Sequence, residues 1–167
     1  MCQFFSSIVT RQGDILWNEY TNSHEDLVEY FNLRDDNNLQ HFVRCEFTPK
    51  ENKYADVEHY TLKVDEKTKP KWFVEIQEAT KEKMSVIISK MIIRGEKNLL
   101  LGGCYILDNA KVNKIKNVVV KSMSNSQVNE MWDNSQVNEM WENSQVKKMW
   151  GNSQVKKNNS KHKTPKE

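Results

Sequence analysis

Few residues in this chain of 167 have the types and spacing that chemistry requires. Cys2 comes first. Loss of the initiator Met before a small residue would leave a thiol beside a free α-amine, which can act as the base that activates it for acyl transfer. Ser23, His24, Glu25 and Asp26 set a hydroxyl, an imidazole and two carboxylates in a row. Neighbours along a helix point in different directions, so these four cannot relay a proton among themselves. Ser23 as N-cap, with Asp26 in the capping-box position, accounts for them without catalysis. His41, Cys45 and His59 could meet across two paired strands, but their spacing matches no zinc pattern and no metal is expected. Gly102-Gly103 lacks the following Lys-Ser/Thr or the dinucleotide spacing, so no phosphate-cradling loop and no cofactor are expected. Trp132, Trp141 and Trp150, interleaved with Lys147 and Lys148, remain as candidate binding residues. Indoles can stack on a partner and ammonium groups can meet anions.

Those tryptophans belong to a repeat. Asn134 to Trp141 copies Asn125 to Trp132, and the unit returns at Asn143 and Asn152, so Val128, Val137, Val146 and Val155 keep a beat of nine. Nine residues advance an α-helix by two and a half turns, which would throw successive Val-x-x-Met-Trp clusters to opposite sides. Extended structure fits better, provided a bend near Asn129 and Glu130 lets Val128 and Met131 both face inward. Two units then make one flattened coil of a β-solenoid, with like residues laddered from coil to coil. The Gly-Gly-x-Gly-x-Asp ligands of calcium-binding nonapeptide solenoids are missing, so calcium is not implied. Upstream, Asn109 and Asn117 precede apolar residues at the same offsets, and Asn98 reads as the first rung. Asn suits such corners because it tolerates left-handed backbone angles. A duplicated tract without fixed structure is the competing reading, since Asn, Ser, Gln and Lys dominate it.

Ahead of the repeat, the pattern predicts a small α+β domain in the order β-β-α-β-β-α. Strands are expected over Phe4 to Thr10, Ile15 to Trp17, His41 to Phe47 and His59 to Val64, with a hairpin turn at Gly13. Leu27, Val28, Phe31 and Leu33 supply the apolar side of a short helix ended by Asp35-Asp36-Asn37-Asn38. Lys71 to Ile93, between Pro70 and Gly95, carries apolar residues at helical spacings and reads as one long amphipathic helix. The organisation is then a domain over 1–97, a solenoid over 98–157 and a basic, disordered tail over 158–167.

Composition narrows the classes. The net charge of +2 hides an asymmetry: Lys and Arg against Asp and Glu are 14 to 18 over residues 1–110, and 11 to 5 over 111–167. The basic excess lies in the later repeats and the tail, the part that could touch nucleic acid. No apolar run long enough to cross a membrane occurs, and the start lacks a secretory pattern. Three widely spaced cysteines argue against a disulfide framework. A bacterial or phage-infected cytoplasm is the expected location.

Ser23-His24-Glu25-Asp26-Leu27 and Asn32-Leu33-Arg34-Asp35, leading into Asn-Ser-x-Val-x-x-Met-Trp units, resemble proteins of bacteriophages and bacteria. In those, short Asn-(Ser/Ala)-x-Val tandem repeats follow a small amino-terminal domain. The resemblance implies an architecture and a phage or bacterial setting, and carries no activity or catalytic residue. Met1-Cys2 before a β-run also resembles the start of class II glutamine amidotransferases, though Gln3 replaces their usual Gly and the front domain is short for their fold. Three functions are in play. The first is a non-enzymatic binding protein whose solenoid acts as rigid spacer, repeated binding face or self-association element. The second is a nucleic-acid-binding protein using the basic carboxyl-terminal face, with weak contact through its tail. The third is an N-terminal-cysteine hydrolase or amidotransferase-like enzyme. The first is favoured, with a protein partner or a second copy as its occupant.

Overall fold

A computed structural model describes residues 4–34 and 41–165. Cys2 and the segment Asp35-Asp36-Asn37-Asn38 lie outside the described residues. The chain divides into two compact units, Met1–Lys90 and Met91–Glu167.

The first unit is built on an antiparallel sheet of β1 (Ser6–Thr10), β2 (Ile15–Leu16), β3 (Phe42–Thr48) and β4 (Thr61–Val64), in the order β2-β1-β3-β4. Thr10 and Asp14 close the β1–β2 hairpin: the Thr10 N–H donates to the Asp14 carbonyl at 3.0 Å. Gly13 takes φ +83 there, a turn conformation that a Cβ would strain. Period-two alternation brings Ile8 and Leu16 opposite each other in the register. Ile8 and Phe42 form a core with Leu27, flanked by Val28 and Phe31, from the short helix α1 (His24–Tyr30) and its end. Val9, Val43, Cys45 and Phe47 alternate onto the other side and are also buried. Ser23 caps α1 by accepting the Asp26 N–H at 3.2 Å. Helix α2 spans Lys71–Met91 and buries Thr80, Met84 and Ile88 at four-residue spacings, with Phe73 two turns ahead of Thr80. It stops before Ile92 and Ile93 because those β-branched residues pair in a sheet with Ile106 and Leu107.

The second unit is a parallel β-solenoid of about four turns over 92–160. Its strands are β5 (Ile92–Leu101), β6 (Cys104–Lys116), β7 (Val119–Ser124), β8 (Gln127–Trp132), β9 (Gln136–Glu142), β10 (Gln145–Met149) and β11 (Gln154–Ser160). The long β6 serves both sides of the coil: Cys104 to Asp108 pair with β7, and Lys111 to Lys116 with β8. From there consecutive repeats alternate sides. Val128 pairs with Val146 and Val137 with Val155, two copies on, so each coil holds two nonamers. Lys97↔Val112, Val112↔Val128 and Val128↔Val146 mark coils of fifteen, sixteen and eighteen residues. Pairing runs through Gln127 and Val128, steps over Asn129 and resumes at Glu130. The strand bends there, and Val128 and Met131 both turn inward although three residues apart. The interior stacks Val112, Ile115, Val128, Met131 and Val146 against Val120, Met123, Val137 and Met140. Each such burial contributes about 1.5–3 kcal/mol.

Two expectations require correction here. The solenoid begins at Ile92, ahead of Asn98. The apolar beat does not show the first coil because Lys97 stands where later coils put Val112 and Val128, and Arg94 and Glu96 are exposed. At the far end Asn158, Asn159 and Ser160 belong to β11 rather than to a disordered tail, pairing with Met140, Trp141 and Glu142. Backbone pairing holds them where composition predicted nothing.

Corners also differ from the simple expectation. Asn109, Asn117 and Asn125 have positive φ, but in the nonameric copies the preceding residue takes that role: Asp133, Glu142 and Gly151. The added residue lengthens the corner and frees the Asn amide. Asn143 donates to Asn125 at 3.1 Å and Asn152 to Asn134 at 3.2 Å. The serine after each Asn is buried. Ser135 donates to the Trp132 carbonyl at 2.7 Å and Ser144 to the Met123 carbonyl at 2.9 Å, satisfying corner groups that the sheet leaves over.

Candidate functional site

The outward residues on the β8/β10 side form columns because every rung is in register. Glu96, Lys111, Gln127 and Gln145 make one, and Leu99, Lys114, Glu130 and Lys148 another. Asn98, Asn113 and Asn129 lie between them, joined amide to amide at 3.2 and 3.1 Å. With Glu96, Lys97 and Lys111 they line a shallow, polar concavity. Leu101, Lys116 and Trp132 complete the face. Lys116 is paired with Asp133 at 3.2 Å and Lys111 with Glu96 at 3.6 Å.

The aromatic column is the most distinctive part. Trp132 and Trp150 stack with centroids 5.5 Å apart and planes 28° from parallel. Lys114 Nζ sits 4.2 Å from the Trp132 ring centroid, a cation–π contact beside the stack. Trp141 is not part of it: one copy away means the other side of the coil, where Lys157 lies 5.3 Å from its ring and 3.6 Å from Glu139. The structure therefore brings Trp132 and Trp150 together with Lys147 and Lys148 on one side, and separates Trp141 from all four. A single ladder of three tryptophans is ruled out by the two-copy coil.

No protein-family model, curated protein or solved structure matches this chain. The likeness to phage and bacterial repeat proteins thus rests on its short motifs alone, and the site must be read from its own geometry.

The indoles differ in how their N–H groups are met. Trp132 Nε1 donates to Glu130 at 3.0 Å and Trp141 Nε1 to Glu139 at 3.1 Å. In both copies the carboxylate sits two residues earlier, on the same outward side of the strand. The matching residue before Trp150 is Lys148, which has no acceptor to offer. Trp150 is also 48 % exposed, immediately after the end of the edge strand β10.

The other candidates resolve differently. Cys45 and Cys104 are buried, and burial, with a smaller push from the Glu66 carboxylate, raises the Cys45 thiol far above its ordinary range. Such a thiol is a poor nucleophile. His24 is buried with Nε2 3.1 Å from the Cys45 carbonyl and Nδ1 3.4 Å from the Asp65 carboxylate. These contacts fix the ring within the first unit, a placement that the sequence pattern does not reveal. His59 pairs locally with Asp56 at 2.8 Å. Among the described residues no group of three or more His, Cys, Asp or Glu side chains could hold a metal ion. Nor is any described helix long and apolar enough to cross a membrane.

Proposed function

We propose that this chain is a non-enzymatic binding protein that presents the β8/β10 side of its solenoid to an extended, repetitive partner. The observation that carries the reading is the in-register display of unlike but complementary columns: stacked indoles, an amide ladder and lysines at the rung spacing of about 4.8 Å. A partner with its own repeat can meet several rungs at once, so modest contacts sum through effective concentration. The polar replacements at the last copy favour a binding face over end-to-end stacking. Asn158 and Asn159 stand where earlier copies have Met and Trp, and Lys156 and Lys157 line the same strand. A capping repeat has this composition, and edge lysines discourage strand addition.

The test compares retention of the full chain on immobilised polymers: single- and double-stranded nucleic acid, acidic and neutral polysaccharides, and polypeptides. A second protein carries one further copy of the block Asn125 to Glu142, adding a whole coil. A third has Trp132, Trp150, Lys147 and Lys148 replaced. The reading expects one polymer class to be held more tightly by the longer solenoid and released by the replaced face. Binding indifferent to both changes, or binding to no polymer, would overturn it.

A further inference from the structure

We infer that Trp150, with Lys147 and Lys148, forms a terminal subsite for single-stranded nucleic acid, a base stacking on the indole and its phosphates meeting the lysines. The inference rests on the binding-face reading and names the partner class of the same side of the solenoid.

The copies themselves carry the argument. Asn129-Glu130 and Asn138-Glu139 occupy the fifth and sixth positions of the first two units, whereas the third has Lys147-Lys148 in an otherwise identical octet. That exchange does two things at once. It turns an outward column from Leu99, Lys114 and Glu130 to an ammonium at the edge rung. It also removes the carboxylate that satisfies the other two indoles, so among the described residues the Trp150 N–H has no acceptor. Neither Lys147 nor Lys148 forms an ion pair among the described residues. Trp132 covers one side of Trp150, and the ring is still 48 % exposed. The place thus offers an aromatic platform, an open N–H donor and two unpaired cations. A phosphate oxygen supplies the acceptor that Glu130 and Glu139 provide elsewhere, and a base extends the stack begun by Lys114 and Trp132. Base–aromatic stacking contributes about 1–3 kcal/mol per base and tolerates any sequence.

The deciding variant restores the repeat. Lys147→Asn with Lys148→Glu gives the third copy the sequence that already folds in the first two, and returns a carboxylate to the indole. Full-length protein is titrated with a fluorescent oligothymidylate by anisotropy at several salt concentrations, beside Trp150→Leu and the parent, with dextran sulfate as a base-free polyanion. The parent should bind the oligonucleotide, with affinity falling as salt rises. Trp150→Leu should weaken it about tenfold or more. The double variant should weaken it further and flatten the salt slope by about 1.4, the share of two single-strand phosphates. Equal oligonucleotide binding by all three proteins overturns the proposal. So does dextran sulfate held as tightly as the oligonucleotide, with Trp150→Leu without effect, because charge alone then suffices. If the oligonucleotide is ignored while another polymer responds to the replaced face, this inference falls and the broader reading stands.

Discussion

The first unit and the solenoid reach closed interiors by opposite routes. In the first, each buried residue has its own neighbours: Phe47 lies against Tyr60 with centroids 4.9 Å apart, and Phe5 against Trp17 at 5.2 Å. In the solenoid the same few side chains recur, Val over Val and Met over Met, and each rung touches only the rungs beside it. A unique core concentrates the consequences of one substitution, while a stacked core spreads them along its axis. The repeated unit is also free to vary outward while its inward residues stay the same, as the exchange of Asn-Glu for Lys-Lys illustrates.

Five substitutions sharpen that contrast. The largest loss is expected for Phe47→Ala, about 3–5 kcal/mol in chemical denaturation, because a fully buried ring leaves a cavity with no repeat to absorb it. Met140→Ala, inside the stack, should cost about 2–4 kcal/mol. Met149→Ala, on the edge strand and only partly buried, should cost about half as much. Equal losses at Met140 and Met149 would deny the nearest-neighbour description. Ser135→Ala should cost about 1 kcal/mol by removing the hydroxyl that accepts the buried Val118 N–H and is the second donor to the Trp132 carbonyl, read from the same denaturation curves. The smallest effect is electrostatic and belongs to the first unit. The Glu25 carboxyl is held below its ordinary value of 4.5 by a backbone N–H at the start of α1, and then by the Ser23 hydroxyl. Its contribution is therefore present above 4.5 and is lost as pH falls through the lower folded value. Glu25→Gln should lower the melting temperature slightly near neutral pH and not at all in strong acid. Solvent screening keeps the difference small, since Glu25 is exposed.

Much of the solenoid was legible from spacing, for a definite reason. Copies that repeat Val-x-x-Met at nine cannot share one side of an α-helix, yet they stack without change on extended rungs. The bend at Asn129 and the eighteen-residue coil follow from that mismatch. Helix α2 was legible from its apolar stripe, though the stripe runs on to Ile93 where the helix ends at Met91, since a local pattern does not register the strand that Ile92 enters. The first coil was harder to see. Arg94, Glu96 and Lys97 break the apolar beat, and their strand is held by backbone pairing with β6. The candidate site was legible only as a set of residue types. Trp132, Trp141 and Trp150 look equivalent in sequence, and nothing local to Trp150 states that it stacks on Trp132 while Trp141 turns away.

The division has a physical root. Short-range order along the chain dictated the repeat, its inward Val and Met, and a pitch no α-helix could accommodate, because those depend on side-chain alternation within a few residues. Contact between residues eighteen apart settled the rest: which indoles meet, which corner residue bears the left-handed angle, and which lysines remain unpaired. These outcomes are set when one rung lands on the next, and no window of neighbouring residues contains that event.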